Sequence, residues 1–312
     1  MILLISSEID SHATEIQKYI GKHCKVLTPS SVYCLDITED GSKNEFTSIW
    51  YRVPKYIEYK TDDKKVVLSK FMALRESQDF FANYLSILRL NSRDLFILND
   101  PVQSYYSQFK NYQLQVAKQL GLNVPKTLVT KDKKSLLIFI KSNSSKRFII
   151  KNYRGSVNFG DEYLTCPTML IDTDQFVSNF DNIDLVYPSI YQEYIDKLFE
   201  LRIIVVGNKI FVAKIISQDN PETEIDFRVN YEHLRYENFQ IPTDVETKII
   251  KLTKKLGLNY ACIDMIYSTQ NKYIFLEINN NGQYLWLEKA LNLDISKQIA
   301  LLLTSPEKYK LV

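Results

Sequence analysis

Three oxygen-bearing side chains, Asp264, Glu277 and Asn279, fall within ACIDMIYSTQNKYIFLEINNNGQYLWLE (261–288), whose first half is otherwise mostly apolar. Two β-prone runs, Ala261 to Tyr267 and Tyr273 to Ile278, flank the polar turn Ser268 to Lys272, the pattern of an antiparallel hairpin. Strand side chains alternate between faces, so Glu277 and Asn279 lie on one side and Ile278 on the other. Folding about Thr269 to Asn271 brings Asp264 opposite the Phe275 to Glu277 region. Buried carboxylates are costly unless something neutralises them, and hard oxygen ligands of this kind suit Mg²⁺ shared with a nucleotide's phosphates. The competing reading is an acidic hairpin edge that is simply solvated.

Cations stand at strand positions elsewhere. Lys151 ends RFIIK, Arg202 lies in ELRIIVV, Lys214 in IFVAKII and Arg228 in the short DFR run. Each alone reads as a snorkelling edge residue. Together, with the acidic residues downstream, they read as phosphate ligands around a metal, the usual way to neutralise a transferring phosphoryl group. Arg202 and Lys214 carry a geometric test. A two-residue turn, Gly207-Asn208, puts Arg202 opposite Ala213 and sends Lys214 to the other face. A three-residue turn, Gly207-Asn208-Lys209, pairs the two cations, and a shared site needs this register or a bulge.

The elements that must position these residues divide the 312-residue chain into three units, 1–101, 102–190 and 191–312. In the first, Met1 to Ser6 is a buried strand, followed by Ile9, Ala13, Ile16 and Ile20 at helical spacing, the opening of an α/β domain. Further strands are expected around Val32 to Ile37 and Ser48 to Val53, and a long helix over Leu68 to Leu90 on the spacing of Phe71, Leu74, Phe81, Leu85 and Leu88. In the second, a helix from Tyr105 carries Tyr105, Phe109, Tyr112, Val116 and Leu120 on one stripe and stops at Gly121. Asn123 to Thr130 leads into a strand, and a helix over Leu136 to Ile140 and the strand Arg147 to Lys151 follow. Two of the chain's eight glycines, Gly155 and Gly160, sit in the polar loop after Lys151, where backbone must approach something closely. The third unit opens with strand Ser189 to Tyr194 and the hairpin Leu201 to Ile216. An amphipathic helix on Val245, Ile249, Leu252 and Leu256, closed by Gly257, delivers the chain into the acidic hairpin, and Leu293 to Leu303 is a last helix.

Composition narrows the function classes. With 39 Lys plus Arg against 37 Asp plus Glu, there is no electrostatic case for nucleic-acid binding. Cys24, Cys34, Cys166 and Cys262 form no CxxC pair and do not cluster with the three histidines, which argues against zinc and disulfides and fits a reducing cytoplasm. No apolar run reaches the roughly 20 residues of a membrane helix. No Ser-His-Asp or Cys-His constellation points to a covalent enzyme intermediate.

In this order the features resemble the ATP-grasp superfamily of carboxylate ligases, and within it the graspetide macrocyclases, the microviridin-type enzymes that close ω-ester or ω-amide rings in ribosomal peptides. The resemblance spans essentially the whole chain. It implies an α/β (α+β) ATP-grasp fold with an N-terminal Rossmann-like pre-ATP-grasp domain. QFKNYQLQVAKQLGLNVPKTLVT is similar to the family's entry into the central domain, with Lys110 as the first ATP-binding lysine and Lys151 as the second. YQEYI is similar to the hinge, where Glu193 and Ile195 would meet adenine through their backbones, flanked by Gln192 and Tyr194. In ELR, Glu200 would serve the ribose and Arg202 the phosphate or acyl phosphate. Lys214 and Arg228 match further reaction-site cations; Asp264, Glu277 and Asn279 match the metal ligands; and NNNGQYLW matches the closing signature. The resemblance implies ATP and Mg²⁺ as cofactors and a precursor peptide, leader plus core, as partner. It also implies a cytoplasmic enzyme without membrane contact and a homodimer. The implied reaction turns an Asp or Glu side chain into an acyl phosphate, which a Thr or Ser hydroxyl or a Lys amine then captures. The alternatives are an amino-acid or peptide-tail ligase of the same superfamily and a non-catalytic nucleotide-binding scaffold.

Overall fold

The computed structural model describes residues 1–31, 45–52, 64–92, 94–143, 145–153, 156–159, 162–165, 168–219, 223–225, 227 and 234–312. The strand expected at 32–37, Cys34, Cys166, Gly155, Gly160 and Arg228 lie outside these, as do the side chains of Phe71 and Leu74.

The first unit is a parallel sheet of β1 (Ile2–Ile5), β2 (Cys24–Leu27), β3 (Ser48–Tyr51) and β4 (Phe96–Leu98) in the order β2-β1-β3-β4. The helix Ser11–Ile20 buries Ala13, Ile16 and Ile20, as its spacing requires, but starts after Ile9, which is 77% exposed. Asp10 caps it, accepting from the His12 N–H. The long helix is Lys64–Asn91, and Phe81, Leu85 and Leu88 pack on Leu3, Ile5 and Ile49.

The expected single helix from Tyr105 is two helices, Pro101–Ser107 and Lys110–Gln119. The break at Gln108 and Phe109 loses the phase of the aromatic stripe, leaving Tyr105, Phe109 and Tyr112 exposed and burying Gln113, Leu114, Val116 and Ala117. The middle unit continues with β5 (Thr127–Thr130), β6 (Arg147–Lys151), β7 (Ser156–Phe159), β8 (Glu162–Thr165), β9 (Met169–Asp172) and β10 (Ser189–Glu193). Its antiparallel sheet runs β5-β10-β6-β9, so β10 belongs to this sheet and does not open the third unit. The polar stretch after Lys151 is not a plain loop: β7 and β8 pair as a two-stranded hairpin.

The third sheet comprises β11 (Lys197–Val206), β12 (Lys209–Ile216), β13 (Arg235–Asn238), β14 (Tyr260–Ser268) and β15 (Tyr273–Asn279), antiparallel in the order β13-β12-β11-β14-β15. Both faces are covered. Ile204, Val206, Tyr260 and Cys262 pack against Trp50 and Leu98 of the first unit and the helix Ile295–Thr304. Leu201, Ile203, Val205, Ala261 and Ile263 pack against the helix Thr243–Lys255 and Leu114, Val116 and Ala117. That two-sided burial is why ELRIIVV reads as an almost unbroken apolar run in which a single arginine stands out. Among the described residues no helix is long and apolar enough to cross a membrane.

Candidate active site

The acidic hairpin forms, and a bulge sets its chemistry. The ladder from Tyr267↔Tyr273 to Met265↔Phe275 would place Leu276 opposite Asp264, but one extra residue in β15 shifts the register to Asp264↔Glu277 and Cys262↔Asn279. Asp264, Glu277 and Asn279 therefore share a face, while Ile278 is buried on the other with Leu201 and Ile263. The Asn279 side chain is exposed, and its Oδ1 accepts from the Asn281 N–H at 2.9 Å.

The edge strand β15 is covered by the helix that carries Lys110. The Gln113 amide donates to the Ile278 carbonyl at 2.8 Å and accepts from the Ile278 N–H at 3.1 Å. Lys110, one helical turn before Gln113, is thereby held over Glu277, its Nζ 3.3 Å from Oε2.

An open cleft lies here, and the middle and third sheets both line it. Lys110, Lys151, Gln192, Glu193, Tyr194, Ile195, Glu200, Asp264 and Glu277 all line it, so nine of the expected residues converge. At the hinge, the Glu193 N–H is taken by the Lys126 carbonyl and the Tyr194 N–H by the Arg147 carbonyl. Gln192 is buried and donates to Thr127, and the Arg147 guanidinium lies over the Tyr194 ring at 4.3 Å. Pro125, Ile149, Ile225, Ile266 and Leu276 supply apolar walls.

Lys197 is a member of the site that the sequence reading passed over. A bulge between Lys197 and Phe199 turns Lys197 to the face of Glu200. Its buried Nζ donates to Glu200 Oε1 at 2.7 Å and to the Ile225 carbonyl at 3.1 Å. Burial pushes the Glu200 carboxyl up, against the opposing pull of Lys197 and a hydrogen bond from Ser217.

One row deeper on the same face, Arg202 stands opposite Asp264. Arg202 Nη1 donates to Asp264 Oδ1 at 2.7 Å and Nη2 to the Gln283 carbonyl at 3.3 Å. Burial works against its charge, but Asp264, Cys262 and Tyr260 together outweigh burial and raise the guanidinium pKa above its ordinary value. Among the described residues its Nε–H is buried without a partner, which leaves one donor unused there. Gly282 is what lets the 280–284 backbone lie this close. A Cβ there would collide with the Cys262 side chain and come within 2.7 Å of Arg202 Nη2.

Lys214 does not join this face. Val206 pairs with Lys209 across the two-residue turn, Arg202 pairs with Ala213, and Lys214 points to the opposite side. There its Nζ donates to Glu237 at 2.9 Å and lies 5.1 Å over the Phe199 ring. The expectation of Lys214 as a reaction-site cation is corrected by that register.

Among the described residues no group of three or more His, Cys, Asp or Glu side chains forms a metal site by itself. The donor set on the hairpin face is two carboxylates and an amide. Such a set fits Mg²⁺, which keeps waters and takes its remaining oxygens from phosphates.

A family model described as a RimK-like ATP-grasp domain matches residues 107–303. A probable alpha-L-glutamate ligase of Histophilus somni is 25% identical over 218 residues, 69% of this chain and 69% of that protein. The RiPP-associated ATP-grasp ligase of Chryseobacterium gregarium, solved in complex with ADP and a leader and core peptide, superposes with a TM-score of 0.78 at 25% identity, covering 98% of this chain and 96% of that one. The macrocyclase MdnC of Microcystis aeruginosa, bound with its precursor peptide MdnA, superposes with a TM-score of 0.76 at 27% identity, covering 98% and 100%.

Proposed function

The chain belongs to the RimK-like ATP-grasp family, and from that footing we propose that it is an ATP-dependent peptide macrocyclase acting on Asp or Glu side chains of a ribosomal precursor peptide. The observation that carries the proposal is the convergence, in one cleft, of Lys110 and Lys151 with Asp264, Glu277 and the buried Lys197–Glu200 pair. The near full-length likeness to two peptide-bound enzymes supports the choice of substrate.

A carboxylate resists nucleophiles because its charge repels them. Transfer of the ATP γ-phosphoryl group to a side-chain carboxylate forms an acyl phosphate and releases ADP. A hydroxyl or amine then attacks the carbonyl, loses its proton, and expels phosphate. The enzyme's part is positioning and charge neutralisation. In this reading Lys110 and Lys151 hold phosphate oxygens, Glu200 takes the ribose and Lys197 holds Glu200 in place. The Glu193 and Ile195 backbones take adenine, and Arg202 turns its unused donor to the acyl phosphate. Asp264, Glu277 and Asn279 would hold Mg²⁺, which would supply charge neutralisation for the phosphates. Arg228 is proposed as a further cation of the reaction site on the family pattern alone.

The test is ADP release on adding a leader-bearing peptide with an acidic core, with the product followed by mass. Each ring closed removes one water from the peptide. ADP release indifferent to every such peptide would sink the proposal. A second reading, addition of free amino acids to a carboxylate, is favoured by the match to a glutamate ligase. It predicts a gain equal to the added amino acid less one water, so the same spectrum separates the two.

A further inference from the structure

The peptide group joining Gln283 to Tyr284 is held at both ends by side chains from different units of the fold. Its carbonyl accepts from Arg202 Nη2 at 3.3 Å, and its N–H donates to His12 Nε2 at 3.2 Å. His12 belongs to the first unit, 272 positions away in sequence, and is buried edge-on against the Tyr284 ring with centroids 4.7 Å apart. Its other nitrogen, Nδ1, is 3.1 Å from Asp10 Oδ1. A carboxylate can only accept, so Nδ1 carries the proton and Nε2 presents its lone pair to Tyr284. Asp10 is fixed in turn by Arg52, whose Nε donates to Oδ2 at 2.6 Å and whose guanidinium lies 4.8 Å from the Trp50 ring. The next carbonyl back, that of Gly282, accepts from the Tyr260 hydroxyl at 2.6 Å.

We infer that His12 is a positioning residue for Arg202, acting through the 283–284 peptide. The inference rests on the reading of Arg202 as the acyl-phosphate ligand. A peptide unit pinned only at its carbonyl can tilt about the chain axis and carry Arg202 with it. Pinned at its N–H as well, it gives the guanidinium a fixed acceptor. The Asp10 contact matters because it selects the tautomer: a proton on Nε2 would face the Tyr284 N–H donor to donor. Asp10, Arg52 and Glu288 are the charged groups that act on His12, the titratable Tyr284 packs its ring against it, and burial lowers the imidazole pKa while Asp10 opposes that.

The experiment compares His12→Leu, which removes the acceptor, with His12→Gln, whose Oε1 replaces it, alone and combined with Arg202→Lys. ADP release is measured at saturating peptide. Small misplacements of a catalytic group cost on the order of 100-fold, so His12→Leu is expected to lower kcat about 10- to 100-fold, with KM for ATP within about twofold of wild type. His12→Gln is expected to recover most of that loss. His12→Leu should add little on the Arg202→Lys background, since coupled residues are not additive. A wild-type kcat in His12→Leu beside an impaired Arg202→Lys overturns the inference and leaves the role of Arg202 standing, as does full multiplication of the two effects. An unimpaired Arg202→Lys removes the role of Arg202 itself and the inference with it. Should His12→Leu fail to fold, Asp10→Asn keeps the imidazole but loosens its Nδ1 anchor. It is then expected to lower kcat without moving KM for ATP, and a wild-type kcat there counts against the inference.

Discussion

Asp264 and Glu277 face each other across β14 and β15 because of a single extra residue in β15; on a regular ladder Leu276 would stand in place of Glu277. The two carboxylates lie on a cleft that also holds Lys110 and Lys151. Glu277→Gln keeps the size and most hydrogen bonds of the side chain while removing the charge. Turnover is expected to fall by about a thousandfold, on the scale of losing a key electrostatic contact at a transferring phosphoryl group. The melting temperature should stay within a few degrees, since the partly exposed pair with Lys110 contributes on the order of 1 kcal/mol or less. Retained ADP release in a folded Glu277→Gln would count heavily against the site.

Gln113 takes both backbone groups of Ile278 and so sets where Lys110 stands. Gln113→Leu strands a buried donor and a buried acceptor. A loss of about 2 kcal/mol in denaturant melts is expected, together with a raised KM for ATP as Lys110 drifts from the cleft. A stability loss with an unchanged KM would separate the clamp from nucleotide binding.

Much of this arrangement was legible in the sequence wherever the controlling chemistry is local. Gly121 and Gly257 end their helices with φ +78° and +71°, the left-handed conformation that favours glycine, and both were readable as stops. The hairpin about Thr269 to Asn271 followed from apolar runs around a polar turn. The misses come from features that spacing alone does not encode. The bulge that turns Lys197 toward the cleft leaves no mark on the alternation pattern. Lys197 and Glu200, three residues apart, would lie on opposite faces of a straight strand. The stripe from Tyr105 to Leu120 kept helical spacing across a break at Gln108 and Phe109, and a broken helix loses its phase. The strand Cys24–Leu27 was missed because it is only four residues long and mostly half-exposed or exposed.

Arg202 and Asp264 form a buried pair, so removing one partner leaves an uncompensated charge. Arg202→Ala is expected to abolish turnover and also to cost about 3–5 kcal/mol of stability. Arg202→Met combined with Asp264→Leu should regain much of that stability without regaining activity. Chemical denaturation of the single and double variants checks both halves.

Lys214 supplies the contrast. It lies on the face away from Arg202, paired with an exposed Glu237. Lys214→Ala should change ADP release by less than about twofold and stability by less than about 1 kcal/mol. A collapse of turnover there would mean that the β11–β12 register differs during the reaction.

The contact between the first and third units should be acid-labile, and the sign follows from two groups. Asp10 is held well below the usual carboxylate range: burial opposes this, but the bonds from His12 and Arg52 prevail. Its contribution is present above the unfolded carboxylate pKa of about 3.9 and is lost as pH falls further. Burial lowers the pKa of His12 despite Asp10, so below about pH 6.5 the unfolded chain takes up a proton that the folded chain does not. Stability therefore begins to fall below about pH 6.5 and falls again near pH 4. Thermal melts across this range should show both phases in the wild type, and the upper one should vanish in His12→Gln, which has nothing to protonate there. A His12→Gln profile that keeps the upper phase would assign it to another group and remove the acid-sensitive part played by the imidazole beneath Tyr284.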